Sequence, residues 1–464
     1  MDVQSKLHIA VFPWLAYGHI IPFLEVSKFL AQMGHRVLYI STPKNISHLP
    51  KLPSEFSSNL CFIELPLPHV QGLPQGAEST ADLPIQKVPF LKKAYDKLQG
   101  PLGEFLETSR VDWIIHDFAP YWLPPLAAQL GINLAFFSII GASSVAFIGP
   151  PDKLIAARSQ RRPEDLTVVP EWIDYPSNVA FKLHEVLSHQ QCEDQDAEGF
   201  FRWGSVVQGC QVVTLRSCPE FEPEPFNLLG KILQKPVVPV GLLPPSVPPL
   251  DGVAIGDETW VALKKWLDGK KEKSVFYVAL GTEVTLSPEQ SQELASGIEK
   301  SGLPFIWVVK NRPLVEGHMD LHIFPQGFEE RVSERGVVVR GWAPQMRILA
   351  HPSVGGFLTH CGWSSTIEAL SLGLPLILFS GASSDLGLVA RLLHGKRVGL
   401  EIERNEVDGS FTSDTVAKVI RVVMVEEEGE PIRANAWAMR EICSNIELGK
   451  KHLTQFARFL ENYK

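Results

Sequence analysis

One short stretch of this chain combines residue types that can hold an anion. His360 closes an apolar run, VGGFLTH, and a Cys-Gly-Trp turn then leads into Ser364 and Ser365. Gly362 permits a sharp turn, and the two serines can cap the helix that follows. Backbone amides and the helix dipole at such a start attract negative charge. The stretch therefore predicts an anion site, although a strand, a turn and a serine-capped helix also occur together without any ligand.

A second candidate is His19, which lies in a Gly-His turn between the apolar run KLHIAVFPW and a helical pattern. An imidazole titrates near neutral pH and can remove a proton from an attacking hydroxyl group. Trp342, in the segment GWAPQ, offers an aromatic face on which a base can stack. Each residue alone is weak support, because the chain has 14 histidines and a single tryptophan is more often part of a core.

The elements that must position these residues alternate in type along the chain. Apolar runs such as HRVLYIST, VDWIIHDF and INLAFFS predict strands, and HIIPFLEVSKFLAQMG predicts a helix that ends at Gly34. Strands separated by helices predict βαβ units and a parallel sheet with both faces covered. After a proline-dense stretch the pattern restarts with SVFYVALGT. We therefore expect two doubly wound α/β domains, whose ligands lie beyond the carboxyl ends of the strands.

The predicted domain boundaries follow from this alternation. Residues 1–234 form an N-terminal domain and residues 252–445 a C-terminal domain. Residues 235–251, KPVVPVGLLPPSVPPLD, form a stiff linker, because proline removes amide donors and holds the chain extended. The final segment, 446–464, is an amphipathic helix that we expect to return to the N-terminal domain.

Composition limits the kinds of partner. The chain has 464 residues, a formal net charge of −9 and six scattered cysteines without a CxxC motif. Surfaces that bind nucleic acid are basic, so a nucleic-acid partner is not expected. Reduced thiols and the lack of a signal-peptide pattern predict a cytoplasmic protein, which we expect to be monomeric. The uncharged run at 132–148 contains Asn133, Gly141 and three serines, which favours a buried strand and helix over a membrane span.

A longer pattern extends from Trp342 to Pro375. W-A-P-Q is followed by H-P-S-V-G-G-F-L-T-H-C-G-W-x-S, then by Glu368 and then by G-x-P. This order resembles the signature of plant UDP-sugar-dependent glycosyltransferases, and the resemblance covers essentially the whole chain, including F-P-W-L-A-x-G-H near the start and W-L-D at 266–268. The stretches FPWLAYGHIIPFLEVSKFLA and NEVDGSF resemble the branch that adds a second sugar to an existing glycoside. The resemblance implies the GT-B fold, two Rossmann-like domains facing across a cleft.

The resemblance also implies a role for each matching position. Trp342 would stack on uracil, and Ala343 and Gln345 would contact the uracil edge and the ribose. Glu368 would accept hydrogen bonds from the ribose hydroxyls, because a carboxylate suits a diol. The residues implied to hold the diphosphate are Thr282, His360, Gly362, Trp363, Ser364 and Ser365.

The same resemblance makes His19 the catalytic base and Asp117, at the end of VDWIIHD, its partner. The carboxylate would fix the imidazole tautomer and raise its basicity. His19 would take the acceptor proton while UDP departs, with inversion at the anomeric carbon and with neither a metal nor a cofactor. Asp194-Gln195-Asp196 resembles a metal-binding D-x-D motif, but its polar surroundings predict a solvated charge run.

The chain departs from the family pattern at two places. Ser364 stands where most members have asparagine, and its hydroxyl can still bind a phosphate oxygen. The family signature ends with an acid followed by glutamine or histidine, a pair that holds the sugar hydroxyls. Here that pair is Ser384-Asp385 if residues are counted forward from Trp342, or Asp385-Leu386 if the downstream G-L-x-A-R-L-L is matched. The glutamine amide is missing either way, at a cost of about 1–3 kcal/mol if a sugar hydroxyl is buried unpaired. Relaxed or altered donor choice, with rhamnose as a candidate beside glucose, is the resulting hypothesis.

These observations favour an inverting glycosyltransferase that moves glucose or rhamnose from a UDP-sugar to a hydroxyl of a small flavonoid or terpenoid glycoside. One alternative is the same chemistry on an aglycone hydroxyl. Another is a non-catalytic binder of UDP-sugars or glycosides, which the presence of both His19 and Asp117 disfavours. A nicotinamide dehydrogenase is disfavoured because no G-x-G-x-x-G follows the first predicted strand. The expected partners are a UDP-sugar donor, as co-substrate, and a small-molecule glycoside acceptor.

Overall fold

Two parallel sheets organise the protein. The computed structural model describes residues 6–156, 162–190, 195–251, 258–281, 284, 286–309, 324–380 and 385–463. Within these residues one sheet has seven strands and the other has six, and all neighbouring strands run parallel. The predicted fold class, α/β with two doubly wound sheets, is confirmed.

The strands and helices have the following bounds. The strands are β1 His8–Phe12, β2 Arg36–Ser41, β3 Leu60–Glu64, β4 Trp113–His116, β5 Asn133–Ser138, β6 Val212–Leu215, β7 Val237–Pro239, β8 Val275–Ala279, β9 Phe305–Val309, β10 Gly336–Arg340, β11 Val354–Thr359, β12 Leu376–Leu378 and β13 Gly399–Glu401. The first ten helices are α1 Tyr17–Gln32, α2 Pro43–Ser47, α3 Val88–Asp96, α4 Gln99–Ser109, α5 Leu123–Leu130, α6 Ala142–Ile148, α7 Pro151–Ala156, α8 Leu183–Gln190, α9 Gln195–Gly209 and α10 Pro223–Leu233. The later helices are α11 Glu258–Asp268, α12 Pro288–Ser301, α13 Phe328–Val332, α14 Gln345–Leu349, α15 Trp363–Ser371, α16 Leu386–Gly395, α17 Ser413–Met424, α18 Glu430–Cys443 and α19 Ile446–Asn462.

The chain forms two compact units that are interleaved in sequence. Unit 1 contains Met1–Ser177, His189–Leu243 and Ile446–Lys464, and unit 2 contains Asn178–Ser188 and Pro244–Asn445. The expectation that all of 235–251 is a linker is wrong at its start, because β7 lies there and pairs with β6. This strand is at the edge of its sheet. A proline is tolerated there, because the side of an edge strand that faces away from the sheet has no neighbouring strand for a backbone N–H to bond.

The strand order of each sheet reverses between one pair of neighbours. The seven-stranded sheet has the order β3-β2-β1-β4-β5-β6-β7, so the chain builds outward from β1 on one side and from β4 on the other. The six-stranded sheet has the order β10-β9-β8-β11-β12-β13, with the same reversal between β8 and β11. Ligands of open parallel sheets bind beyond the carboxyl ends of the strands at such a reversal. Each unit therefore offers one such place.

The last helix, α19, completes the core of unit 1. Phe456 and Leu460 are buried in the cluster that contains residues of β1, β2 and α1. The indole of Trp113 in β4 donates to the Leu460 carbonyl at 3.2 Å. Nearer the start of the helix, His452 Nε2 lies 3.0 Å from Glu220 Oε2. An apolar stripe and two polar contacts thus fix this amphipathic helix on unit 1.

The uncharged run at 132–148 is a buried strand followed by a helix, as predicted. It forms β5 and the short helix α6, both mostly buried. Among the described residues, no helix combines the length and the apolar character that crossing a membrane requires.

The packing of α19 leads to a stability prediction. We expect Phe456→Ala, which empties a site that is 0% exposed, to lower the free energy of unfolding by about 3–5 kcal/mol. Differential scanning calorimetry of the full chain measures the change. Ile446→Ala, in the same helix but at a position that is 67% exposed, is the matched control. An unchanged thermal transition in Phe456→Ala would contradict the role of α19 in this core.

Candidate functional site

His19 and Asp117 meet at the strand reversal of unit 1. Asp117 directly follows β4, and His19 is the third residue of α1, which follows β1. Strands β1 and β4 are neighbours, and Phe12 pairs with His116 at their carboxyl ends. Because the strands end level with each other, the two side chains reach one another. His19 Nδ1 lies 2.7 Å from Asp117 Oδ2.

Backbone amides hold the Asp117 carboxylate in place. The Trp14 amide donates to Oδ2 at 3.0 Å, and the Phe118 amide donates to Oδ1 at 2.8 Å. The side chain of Asp117 is 3% exposed and that of His19 is 19% exposed. A carboxylate that accepts from Nδ1–H leaves the lone pair of the neutral imidazole on Nε2. The pair therefore has the geometry of a general base and the group that orients it.

His116 does not compete with His19 as a base. Its side chain is fully buried, and its Nδ1 donates to the Asp117 carbonyl oxygen at 2.9 Å. Burial lowers the pKa of His116 to about 4. The ring is therefore neutral and inaccessible throughout the physiological pH range.

His360 occupies the corresponding strand reversal of unit 2. It directly follows β11, and Gly281 lies two residues after β8. A Cβ atom on Gly281 would lie 2.4 Å from His360 Cε1, and one on Gly362 would lie 2.6 Å from His360 Nε2. Both distances are too short for real atoms, so the two glycines create the space that the imidazole fills. The sequence analysis missed Gly281, although a glycine just after the first strand of an α/β unit is a recognisable signal.

The turn after β11 differs from the prediction. The residue with left-handed backbone is Cys361, with φ of 71°, whereas Gly362 has φ of −61° and caps α15. Gly362 is thus needed for its closeness to His360 and not for the turn. Ser364 and Ser365 lie inside the first turn of α15 and do not cap it. A left-handed residue other than glycine costs about 1–3 kcal/mol, which burial of the Cys361 side chain among fixed neighbours offsets.

The residues implied to contact base and ribose gather at the starts of α14 and α15. Gln345 Nε2 donates to Glu368 Oε2 at 2.6 Å and to Ser365 Oγ at 3.2 Å. The hydroxyl of Tyr277, in β8, donates to Gln345 Oε1 at 3.4 Å. Burial, and next the Glu368 carboxylate, raises the pKa of Tyr277, so its hydroxyl remains a donor. Ala343 is buried beside this network, in the segment that enters α14.

The remaining candidates differ in exposure. Trp342 is 75% exposed, which is unusual for a large aromatic side chain and suits a stacking surface. Trp363 is 5% exposed, so its backbone amide, at the first position of α15, is the group able to meet a ligand. Asp385 is the N-cap of α16, and Leu386 is its first residue, with 7% exposure. Two predicted residues, Thr282 and Ser384, lie outside the described residues, as does the side-chain environment of the D-x-D motif at 194–196.

The W-L-D motif contributes to the frame of unit 2. His351 Nε2 lies 3.0 Å from Asp268 Oδ1, and its Nδ1 lies 2.8 Å from Ser353 Oγ. These contacts join the end of α11 to the turn that precedes β11. Ser353 is 3% exposed, so this Ser-His-Asp set fixes the turn and does not present a nucleophile.

Comparisons with known proteins identify the family. A family model described as UDP-glucoronosyl and UDP-glucosyl transferase matches residues 257–394. UDP-glycosyltransferase 91C1 of Arabidopsis thaliana is 48% identical over 462 residues, which covers 99% of this chain and 97% of that protein. The chain belongs to the plant UDP-glycosyltransferase family. This glycosyltransferase is therefore an enzyme that uses a UDP-sugar donor.

Two further comparisons extend over nearly the whole glycosyltransferase. Soyasaponin III rhamnosyltransferase of Glycine max is 40% identical, with 99% of this chain and 97% of that protein covered. The structure of Phytolacca americana UGT2 complexed with UDP-2fluoro-glucose and pterostilbene matches with a TM-score of 0.75 and 26% identity, covering 99% of this chain and 100% of that one. The family resemblance that the motifs indicated is confirmed.

The space between His360 and Gly362 leads to a binding prediction. We expect Gly362→Ala to weaken UDP binding about tenfold, because the new Cβ displaces the His360 imidazole, which the family resemblance implies holds the diphosphate. Its φ of −61° suits alanine, so the backbone itself is not strained. Isothermal titration with UDP measures the effect. Gly100→Ala is the matched control, since nothing lies within 4 Å of a Cβ there. If Gly362→Ala binds UDP with wild-type affinity, the assignment of His360 to the donor site is wrong.

Proposed function

We propose that this glycosyltransferase moves a hexose, glucose or rhamnose, from a UDP-sugar to a hydroxyl group of a small plant glycoside, with inversion at the anomeric carbon. The observation that carries the proposal is the 2.7 Å contact between His19 Nδ1 and Asp117 Oδ2. Support for rhamnose and for a glycoside acceptor comes from the 40% identical relative named soyasaponin III rhamnosyltransferase, since a saponin is itself a glycoside.

Unit 1 supplies the proton transfer. His19 Nε2 takes the proton of the acceptor hydroxyl as that oxygen forms a bond to the anomeric carbon. The bond from the anomeric carbon to the diphosphate oxygen breaks at the same time, and UDP leaves with the electron pair. Asp117, at Nδ1, stabilises the imidazolium that results. General-base assistance of this kind is worth about 10²–10⁴-fold in rate.

Unit 2 holds the nucleotide. Trp342 stacks on uracil, and Ala343 and Gln345 contact the uracil edge and the ribose. Glu368 accepts from the ribose hydroxyls, and its hydrogen bond from Gln345 sets the orientation of the carboxylate. The diphosphate is held by Thr282, His360, Gly362, Ser364, Ser365 and the backbone amide of Trp363. Their donors meet the negative charge that grows on UDP as it leaves.

The sugar is selected at the start of α16. Asp385, the N-cap residue, accepts from a sugar hydroxyl, with Ser384 next to it in the chain. If the pair is Asp385-Leu386, Leu386 stands where the family has a second polar partner, and its side chain is buried. A buried hydroxyl without a hydrogen-bond partner weakens binding. A sugar that lacks one hydroxyl therefore loses less binding free energy at such a site than a fully hydroxylated sugar does. This asymmetry supports rhamnose as a donor sugar beside glucose.

The mechanism is tested with a screen of UDP-glucose and UDP-rhamnose against aglycones and their glycosides, read by mass spectrometry. We expect products that gain one hexose or deoxyhexose on glycosides, and we expect His19→Ala to lower kcat about 10²–10⁴-fold. His48→Ala, at an exposed histidine, is the control and should keep wild-type kcat. Full activity in His19→Ala would refute the base assignment, and transfer to aglycones alone would refute the proposed acceptor class.

The donor proposal is tested with Leu386→Gln. We expect the ratio of turnover on UDP-glucose to turnover on UDP-rhamnose to rise about tenfold, because the amide restores a hydrogen-bond partner for a hydroxyl. Leu392→Gln is the matched control, since it lies in the same helix and is 9% exposed, close to the 7% of Leu386. If the ratio moves equally in both variants, or in neither, Leu386 does not set donor choice.

A further inference from the structure

Glu185 is a buried carboxylate that belongs to a segment distant in sequence from the rest of unit 2. It lies in Asn178–Ser188, which folds with unit 2 although the chain on either side folds with unit 1. Its side chain is 1% exposed. Burial of a charged carboxylate is costly unless several hydrogen-bond donors contact it. The donors that contact Glu185 therefore identify the segments that it joins.

Three donors converge on Glu185. Ser380 Oγ donates to Oε1 at 2.7 Å, and Arg391 Nη2 donates to the same oxygen at 2.5 Å. The Lys182 amide donates to Oε2 at 2.8 Å. Burial raises the pKa of Glu185, but Arg391 and these hydrogen bonds together lower the pKa below its ordinary value. Glu185 is therefore an anion that ties Ser380, the second residue after β12, to the middle of α16.

Glu185 also lies against the first turn of α16. A Cβ atom on Gly387, the second residue of that helix, would lie 2.3 Å from Glu185 Oε2. Gly387 does not have left-handed backbone, so its conformation does not call for glycine. Glycine at position 387 instead leaves the space that the Glu185 carboxylate occupies. The position of this turn, which begins at Asp385 and Leu386, is thus set by contact with Glu185.

Further contacts make the arrangement rigid. Arg404 Nη1 donates to the Ser380 carbonyl at 2.7 Å, so Ser380 is held through both its hydroxyl and its backbone. Arg391 also pairs with Glu401, and Lys182 Nζ donates to Glu401 Oε2 at 2.9 Å. Glu185 is the member of this group that reaches both Ser380 and the first turn of α16.

We infer that Glu185 is a positioning residue for the sugar end of the donor site. It holds Ser380 and the first turn of α16 so that Asp385 meets the sugar hydroxyls. This inference rests on the proposed function, in which Asp385 and Leu386 select the sugar. The contacts of Glu185 given above are with Ser380, Arg391, Lys182 and the first turn of α16. The residues assigned to uracil, ribose and diphosphate lie after β8, β10 and β11 and in α14 and α15. A change at Glu185 therefore alters recognition of the sugar and leaves recognition of UDP intact.

Gly387→Ala is the most direct test. The new Cβ collides with the Glu185 carboxylate, and we expect the KM for the UDP-sugar to rise about tenfold. The Kd for UDP, measured by isothermal titration, should change by less than about twofold. Alanine favours a helix more than glycine does, so a defect cannot come from α16 itself. Gly230→Ala, in α10 with nothing within 4 Å of its Cβ, is the control.

A double-mutant cycle separates positioning from a general loss of structure. Glu185→Ala should raise the KM for the UDP-sugar by itself, and Glu185→Gln, which keeps an acceptor for Ser380, should recover part of the loss. Adding Gly387→Ala to Glu185→Ala should cost nothing more, because the collision partner is gone.

Several results would overturn the inference. These are an unchanged KM in Gly387→Ala, an equal weakening of UDP and UDP-sugar, and additive effects in the double variant. If Leu386→Gln shifts donor choice while Gly387→Ala leaves the KM for the UDP-sugar unchanged, the inference fails and the proposed function stands. A wild-type enzyme that transfers neither sugar to any glycoside overturns the proposed function and this inference with it.

Discussion

The level carboxyl ends of neighbouring parallel strands are the constraint on which both groups of candidate residues depend. At a strand reversal, the segments after two adjacent strands lead away to opposite sides, and side chains distant in sequence face one another. In unit 1 this brings His19 after β1 to Asp117 after β4. In unit 2 it brings Gly281 after β8 to His360 after β11, across a ladder that ends with Thr359 opposite Ala279. One architectural rule thus brings together the proposed proton-transfer pair in one unit and part of the proposed diphosphate site in the other.

At two glycines of unit 2, a polar side chain packs directly against the backbone. Gly362 and Gly387 have no left-handed backbone. An ideal Cβ atom on Gly362 would nevertheless lie 2.6 Å from His360 Nε2, and one on Gly387 would lie 2.3 Å from Glu185 Oε2. The side chains that fill these spaces are His360 and Glu185. The two glycines therefore determine the positions of an imidazole and a carboxylate. Close packing of these polar side chains, more than a need for chain flexibility, accounts for glycine at both positions.

Sequence reasoning succeeded where the signal is local. The apolar runs of β1, β4, β8 and β11, and the helical pattern of α1, are long enough to be read from period and composition. The short edge strand β7 was missed because prolines surround and end it. The left-handed turn was assigned to Gly362 instead of Cys361, because burial of the cysteine, which stabilises that conformation, is a tertiary property. Glu185 gave no sequence signal, since its partners Ser380 and Arg391 are 195 and 206 residues away.

The interleaving of the two units affects the order in which the protein is made. Domains near the N-terminus usually fold first as a chain leaves the ribosome. Here unit 2 has all its residues once Asn445 has been added, whereas the core of unit 1 still lacks Phe456 and Leu460. The sheet that carries His19 is translated first, yet it is the last to receive its complete core. Nascent unit 1 therefore leaves part of its apolar core exposed until α19 has been translated.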